Sequence, residues 1–287
     1  MKATLIYNPR SGKRQAPRIR AIAARVGREL GAELALREVE GPGHGTVLAR
    51  EARSQGAERV ISVGGDGTNN AVAIGLVGTE TPMGIVAMGS GNGYARSIGL
   101  PLDPERALRH ALTATPRRMD VCYLNDRLFL GNAGIGFDAR VAHRFDQSRS
   151  RGMLGYARII VQEILGAPPM RVVVKANAEA HEHRVLMLVF CNTREFGNGA
   201  DISPGSKPDD GLAELRVVRK PALLPLIKAF IDVYAHRADR NRHIVNIAAT
   251  AAQVWQEGTL AHLDGEPVEV GHEVIFRLEP KRLWVVG

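Results

Sequence analysis

An apolar run, Val60-Ile61-Ser62-Val63, passes without a spacer into Gly64-Gly65-Asp66-Gly67-Thr68-Asn69-Asn70 and then Ala71-Val72. β-prone residues followed at once by three glycines in four positions fit a buried strand that turns sharply into a helix. The missing Cβ atoms allow the turn and let backbone N–H groups approach a ligand. The helix N-terminus that follows favours an anion. Asp66 places a carboxylate at the same point, which suits a phosphate site only where a cation or a proton transfer takes part. Alone, the segment reads equally well as a glycine-rich βα turn.

Its neighbours narrow the choice. Leu5-Ile6-Tyr7 runs into the cationic turn Asn8-Pro9-Arg10-Ser11-Gly12-Lys13, and Met83–Met88 ends in Gly89-Ser90-Gly91-Asn92-Gly93. Strands are expected over Thr4–Tyr7, Glu33–Val39, Val60–Val63 and Gly84–Ala87. Helical spacing is seen at Ile19–Leu30, Thr46–Ser54, Asn69–Leu76 and Pro104–Leu112. This alternation predicts an α/β domain, a parallel sheet with helices on both faces. Its loops would gather at the C-terminal strand ends, where such sheets bind ligands. Beyond about residue 117 the pattern becomes β-rich, with a hairpin at 121–130 and strands at Met170–Ala176, Val185–Asn192, Ala213–Val218, Ile244–Gln256 and Val274–Leu278. Helices are expected over Asp138–Phe145, Met153–Leu165 and Leu223–Tyr234. The second region reads as a mostly antiparallel β-sandwich.

Hydrophobic content of 45% is ordinary for a globular chain, and the apolar runs are too short to span a membrane. The start of the chain does not read as a signal peptide. Cys122 and Cys191 lack metal-ligand spacing and fit a reducing cytosol. The net charge of +8 favours an anionic partner. Arg18, Arg20, Arg25 and Arg28 form one basic group; Arg237, Arg240 and Arg242 form another with His236 and His243. Few aromatics interleave with them and no nucleic-acid motif is present, so nucleic acid is not expected as a partner.

Asp264-Gly265-Glu266 lies between β-type segments; in extended chain the two carboxylates would share a side, raising the pKa of one. Gly134-x-Gly136-x-x-Ala139 imitates a dinucleotide fingerprint, but no acid follows at the ribose-binding distance, and a tight turn at the domain junction is expected instead. His181-Glu182-His183 reads as an exposed hairpin. The Walker pattern is absent.

Taken in order, Asn8-Pro9-x-Ser11-Gly12-Lys13, Gly64-Gly65-Asp66-Gly67-Thr68, Gly89-Ser90-Gly91-Asn92, Gly134 to Ala139, Asp209-Asp210-Gly211-Leu212 and Asp264-Gly265-Glu266 resemble diacylglycerol and sphingosine kinases. The pattern is most similar to the bacterial YegS/DgkB-like lipid kinases and covers nearly the whole chain. The Gly-Gly-Asp-Gly-Thr element is shared with NAD kinases. Two positions depart: Ala71 stands where the family usually has Glu, and Gly93 where it often has Asp, which is closer to the sphingosine-kinase form.

The resemblance implies a nucleotide-binding domain over 1–120, to which 281–287 returns, and a lipid-substrate domain over 121–280. It implies ATP as co-substrate and Mg²⁺ as cofactor. The nucleotide would lie on Asn8, Ser11, Gly12, Lys13, Gly64, Gly65, Asp66, Gly67, Thr68, Ser90, Gly91 and Asn92. Asp66 would hold the catalytic Mg²⁺ or orient the phosphates. Glu266, with Asp264, would be the general base, facing the acceptor hydroxyl of a diacylglycerol-like or sphingoid lipid. A structural Mg²⁺ would sit on the Asp210 carboxylate and the carbonyls of Lys207 and Leu212. The expected setting is cytoplasmic, with reversible peripheral binding to an anionic membrane through charge, since the sequence offers neither an evident amphipathic anchor nor a lipidation motif; a homodimer is left open. The alternatives are an NAD kinase-like enzyme and a nucleotide- or lipid-binding protein with impaired catalysis.

Overall fold

A computed structural model describes residues 1–11, 16–147, 159, 162–163, 166 and 168–287. Gly12, Lys13 and most of the helix expected over Met153–Leu165 lie outside the described residues. The chain forms two compact units, Met1–Asp120 with Pro280–Gly287, and Val121–Glu279.

The first unit runs β1 (Lys2–Tyr7), α1 (Ala16–Leu30), β2 (Glu33–Glu38), α2 (His44–Ser54), β3 (Arg59–Gly64), α3 (Asp66–Leu76), β4 (Met83–Ala87), α4 (Gly93–Ser97) and α5 (Pro104–Thr113). Its strands are parallel in the order β2-β1-β3-β4. Ile19, Ile22 and Val26 of α1 and Leu108 and Leu112 of α5 pack with Leu5, Ile61 and Val86. Ser62, on the opposite pleat from Ile61, donates to Asn69 Oδ1 of α3 (2.8 Å), so α3 covers the other face. Burial from both sides is why β1, β3 and β4 read as nearly continuous apolar runs, interrupted by Thr4 and Ser62. The start of α5 is equally local in origin: Asp103 accepts the Arg106 N–H (3.0 Å) and Pro104 opens the helix.

The second unit holds β5 (Pro116–Leu124), β6 (Arg127–Phe129), β7 (Asn132–Gly136), α6 (Phe137–Gln147), β8 (Met170–Ala176), β9 (Glu179–Val185), β10 (Met187–Cys191), β11 (Ala213–Val218), α7 (Leu223–Tyr234), β12 (Ile244–Ala249), β13 (Ala251–Gln256), β14 (Leu260–Leu263), β15 (Glu266–Glu269) and β16 (Glu273–Val286), with β5 and β16 each carrying residues of both units. One sheet has the antiparallel order β12-β11-β10-β7-β14-β15 and the other the order β16-β13-β8-β9. Their inner faces share one core, in which the Phe190 and Phe276 rings stack at 5.2 Å beside Phe129. This is the expected sandwich.

Several boundaries differ from the sequence reading. Gly134–Gly136 is not a tight turn: it lies in β7, between β10 and β14 in the sheet. The glycines answer to space, since a Cβ on Gly134 would collide with Asp138, and one on Gly136 (φ 99°) would sit 2.7 Å from the Leu186 carbonyl oxygen. The stretch Ile244–Gln256 is two strands in different sheets, because the chain changes sheet at Thr250. The strand expected over Val274–Leu278 continues to Val286, and its end pairs Val285 with Met83 of β4. His181 and His183 lie in the β8–β9 hairpin, as expected.

At Gly84 a Cβ would lie 2.7 Å from Ala111 Cβ and 3.1 Å from Ile61 Cγ1. Gly84→Val is therefore expected to destabilise the protein by roughly 1–3 kcal/mol through overpacking. Urea unfolding checks this, with a lowered midpoint and an unchanged slope as the expected result.

Candidate active site

The chain leaves β1 toward β2 on one side and returns as β3 on the other, so a crevice opens between the C-terminal ends of β1 and β3. Asn8 lies at that edge. Its N–H donates to the Val63 carbonyl (3.1 Å), its Oδ1 accepts the Arg10 N–H (2.9 Å), and its Nδ2 reaches Thr68 Oγ1 at 3.5 Å. Ser11 closes the turn by donating its N–H to the Asn8 carbonyl (3.1 Å). A Cβ on Gly64 would collide with Thr68, and one on Gly89 would lie 2.7 Å from Gly65 Cα. Glycine is required at 64 and 89 by close approach.

Asp66 stands in the first turn of α3 and faces the neighbouring loop. Its carboxylate accepts the N–H groups of Gly93 (3.1 Å) and Tyr94 (3.4 Å) at the start of α4. Asn92, with φ 52°, accepts the Gly89 N–H at Oδ1 (2.8 Å) and donates through Nδ2 to the Gly89 carbonyl (3.0 Å). The two loops are thus clamped by a carboxylate and a backbone contact, while the Asn92 amide braces the second loop internally. Gly67 belongs to the first turn of α3, Ser90 is exposed, and the Gly91 carbonyl accepts from Arg96 (3.2 Å).

In the second unit, Asp264 and Gly265 form the two-residue turn of the β14–β15 hairpin, with φ values of 50° and 87°. Both are positive, as an Asp-Gly turn of type I′ demands. The expected extended segment with both carboxylates on one side is not found, because the turn intervenes. The Asp264 carboxylate accepts the N–H groups of Leu130 (2.9 Å), Gly131 (2.7 Å) and Asn132 (3.2 Å). It holds the entry to β7. Glu266 opens β15 with a solvent-accessible side chain. Surrounding protein nevertheless displaces much of its hydration, and this pushes its carboxyl above the usual carboxylate range, with Asp146 of α6 and then Asp264 adding to the shift.

Beneath this turn lies a pair that sequence reasoning gave no role. His262, 4% exposed, accepts the Gly265 N–H at Nδ1 (3.3 Å) and meets Asp138 Oδ2 through Nε2 (3.1 Å). The first bond leaves the ring proton on Nε2, facing the carboxylate. Asp138 was visible only as part of the motif from Gly134 to Ala139. Asp146 carried no local signal, since helix packing alone brings it toward Glu266.

Lys207, Asp210 and Leu212 lie on the exposed turn into β11, where Asp210 Oδ1 accepts the Leu212 N–H (3.1 Å). Nearby, burial raises the Glu214 carboxyl; the Ser206 hydroxyl opposes this and Asp210 adds to it. Among the described residues no three His, Cys, Asp or Glu side chains gather as a metal-ligating group.

A family model described as the diacylglycerol kinase catalytic domain matches residues 2–124. A second, the YegS C-terminal NAD kinase beta sandwich-like domain, matches 131–287. The "Probable lipid kinase YegS-like" of Chromohalobacter salexigens is 34% identical over 271 residues, covering 92% of this chain and 86% of that protein. The chain belongs to the YegS/diacylglycerol kinase family of lipid kinases. The "Probable lipid kinase YegS-like" of Citrobacter koseri is 28% identical over 89% of this kinase and 87% of its own length. A solved diacylglycerol kinase from Bacillus anthracis str. Sterne shares the fold, with a TM-score of 0.78 at 21% identity over 99% of this chain and 96% of that one.

The two departures from the family pattern fall differently in this kinase. Ala71 faces α2: its methyl would be 3.1 Å from a Cβ on Gly45, and its carbonyl accepts from Thr46 Oγ1 (2.7 Å). Gly93 contributes only its N–H, to Asp66.

Asp264→Asn turns an amide against N–H groups that now face a carboxylate. It is expected to destabilise the kinase by about 1.5–3 kcal/mol, the usual contribution of hydrogen bonds to a charged group. Chemical denaturation at neutral pH tests this; an unchanged midpoint would show that the anchor is not needed.

Proposed function

We propose that this kinase transfers the γ-phosphate of ATP to the hydroxyl of a diacylglycerol-like or sphingoid lipid, with Glu266 as general base. The observation that carries the reading is the anchored Asp264-Gly265 turn from which Glu266 emerges, in surroundings that favour a raised carboxyl through lost hydration and the neighbouring Asp146 and Asp264. A base with a raised pKa is a better proton acceptor for an alcohol. Asp264 acts through position: it fixes the turn from which Glu266 emerges.

The loops of the first unit supply the nucleotide half. Backbone N–H groups at Gly65, Asp66 and Gly67 beside Gly64, and the hydroxyls of Thr68 and Ser90, would bind phosphate oxygens, with Asn8, Ser11, Gly12 and Lys13 on the adjoining loop and Gly91 and Asn92 on the third. Asp66 sets the spacing of two of these loops. A bound Mg²⁺ would neutralise charge on the phosphates, as phosphoryl transfer requires. Asp66 would orient it. The turn with the Asp210 carboxylate and the Lys207 and Leu212 carbonyls offers hard oxygen donors open to water, which fits a second, structural Mg²⁺.

An NAD kinase-like activity leaves the Glu266 environment without a role. A protein with impaired catalysis is disfavoured by the clamp at Gly93, where only a backbone N–H is used. Incubation with γ-labelled ATP and a total lipid extract, followed by identification of the labelled product, tests the reading. ATP binding without transfer to any lipid would overturn it.

Asp66→Asn is expected to lower turnover on the order of 10²–10³-fold, the usual effect of removing a positioned electrostatic group. Near-normal turnover in a folded variant would remove Asp66 from the site.

Because the base must be ionised, kcat/KM should rise with pH through a value above the ordinary glutamate range. Asp146→Asn removes one repelling charge and should move that limb to lower pH, which a pH–rate profile reads directly. Glu266→Gln should lower kcat roughly 10²–10⁴-fold and abolish the limb. A carboxyl whose pKa is raised on folding loses stability as pH climbs from its unfolded toward its folded value. At neutral pH the Glu266→Gln protein should therefore melt no lower than the parent. A lower melting temperature would mean that lost activity reflects lost fold.

A further inference from the structure

Helix α7 is apolar on both sides. Leu226 and Ala229 are buried, and Leu226 packs with Phe137 and Val141 of α6. The opposite side exposes Ile227 (50%), Phe230 (45%), Ile231 (53%) and Tyr234 (46%). At about 100° per residue these four fall within an arc of about 100° that contains no charge. Phe230 and Tyr234 lie with ring centroids 5.0 Å apart, making one continuous apolar ridge. The helix exposes one cation at its flank, Lys228, and is followed directly by exposed Arg237, Arg240 and Arg242.

This arrangement is held in place. Asp232 is buried and accepts from Lys228 Nζ (2.7 Å) and from Asn241 Nδ2 (3.0 Å), and the Arg237 N–H donates to the Asp232 carbonyl (2.8 Å). The basic turn is thereby tied to the helix end. Asp239, the acid within that turn, is engaged by Arg216 (2.6 Å). The other basic group is differently placed: on α1, Arg20 pairs with Glu38 and Arg25 with Glu105.

We propose that the outer face of α7 inserts into an anionic bilayer surface, Ile227, Phe230, Ile231 and Tyr234 entering the apolar boundary while Arg237, Arg240 and Arg242 meet lipid phosphates. The proposal rests on the reading that the acceptor is a bilayer-borne lipid. An apolar ridge beside a group of cations is the composition of an interfacial helix. A second copy fits this face poorly. A two-fold contact with the two α7 helices parallel would bring the arginines of both copies together, and like charges oppose it; an antiparallel one would leave the arginines at its two ends with no anionic partner. Insertion would also serve the reaction, because α6, on which α7 packs, carries the Asp138 that meets His262 and the Asp146 that acts on Glu266.

The test is co-sedimentation of the full chain with pure phosphatidylcholine vesicles and with mixed phosphatidylcholine/phosphatidylglycerol vesicles, across a salt series. The parent should bind the mixed vesicles, more weakly as salt rises but still measurably at high salt, where screening leaves the apolar contact. Phe230→Ser with Ile231→Ser should weaken binding at every salt concentration by about tenfold or more, the loss expected from two partly inserted apolar side chains. Arg237→Gln with Arg240→Gln should weaken binding to mixed vesicles at low salt only. Circular dichroism confirms that each variant is folded. Unchanged vesicle binding by the Phe230/Ile231 variant would overturn the proposal. So would a dimer of the parent, seen by sedimentation equilibrium without lipid, that this variant dissociates. Turnover on a short-chain, water-soluble lipid is read in parallel. Its absence in a parent that binds vesicles counts against the assigned reaction and leaves the docking face standing.

Discussion

The second unit turns on one carboxylate. Asp264 accepts three consecutive backbone N–H groups where the chain enters β7, and it does so from a turn whose backbone requires positive φ at two residues. Release of that carboxylate would leave three donors facing nothing and free the hairpin that presents Glu266. The same turn sends the Gly265 N–H to His262, which sets the tautomer of a buried ring and directs its proton to Asp138. A single polar anchor thus organises the strand at the middle of the sheet, the buried pair beneath it and the candidate base beside it.

The first unit uses the same device with another carboxylate. Asp66 spans two loops by taking the first N–H groups of α4, and the loops touch backbone to backbone at Gly65 and Gly89. The first contact uses the Gly93 N–H and needs no side chain at that position, and the second requires glycine at 89. Substituents absent here, relative to the usual family pattern, therefore leave the clamp intact.

Charge alone does not describe the surface of this kinase. The α1 arginines Arg20 and Arg25 have acidic partners on β2 and α5, so their contribution to an outward field is reduced. Those beyond α7 stand next to an exposed apolar ridge. The sequence reading saw the basic residues and found no amphipathic anchor, for a physical reason: α7 is apolar around most of its circumference, so its composition resembles that of a buried helix. Only the placement of Leu226 and Ala229 inward shows that Ile227, Phe230, Ile231 and Tyr234 are left outward.

By itself the sequence determined the elements whose cause is local. Nearly continuous apolar runs made β1, β3 and β4, glycines marked the sharp strand-to-helix turns, and helical spacing placed α7 from Leu223 to Tyr234. The ordered motifs carried the family, and the alternation of elements carried the helix-flanked sheet of the first unit and the sandwich of the second. Tertiary structure decided what depends on distant partners. Thr250 became a switch between sheets because its two flanking strands pair with different neighbours. Gly134 proved to be a strand residue because Asp138 and His262 fill the space where a side chain would stand. Asp264 and Glu266, two residues apart in sequence, parted in role because a positive-φ turn lies between their carboxylates and sends one inward to backbone donors. Asp146 came within electrostatic reach of Glu266 through helix packing, which no local spacing encodes.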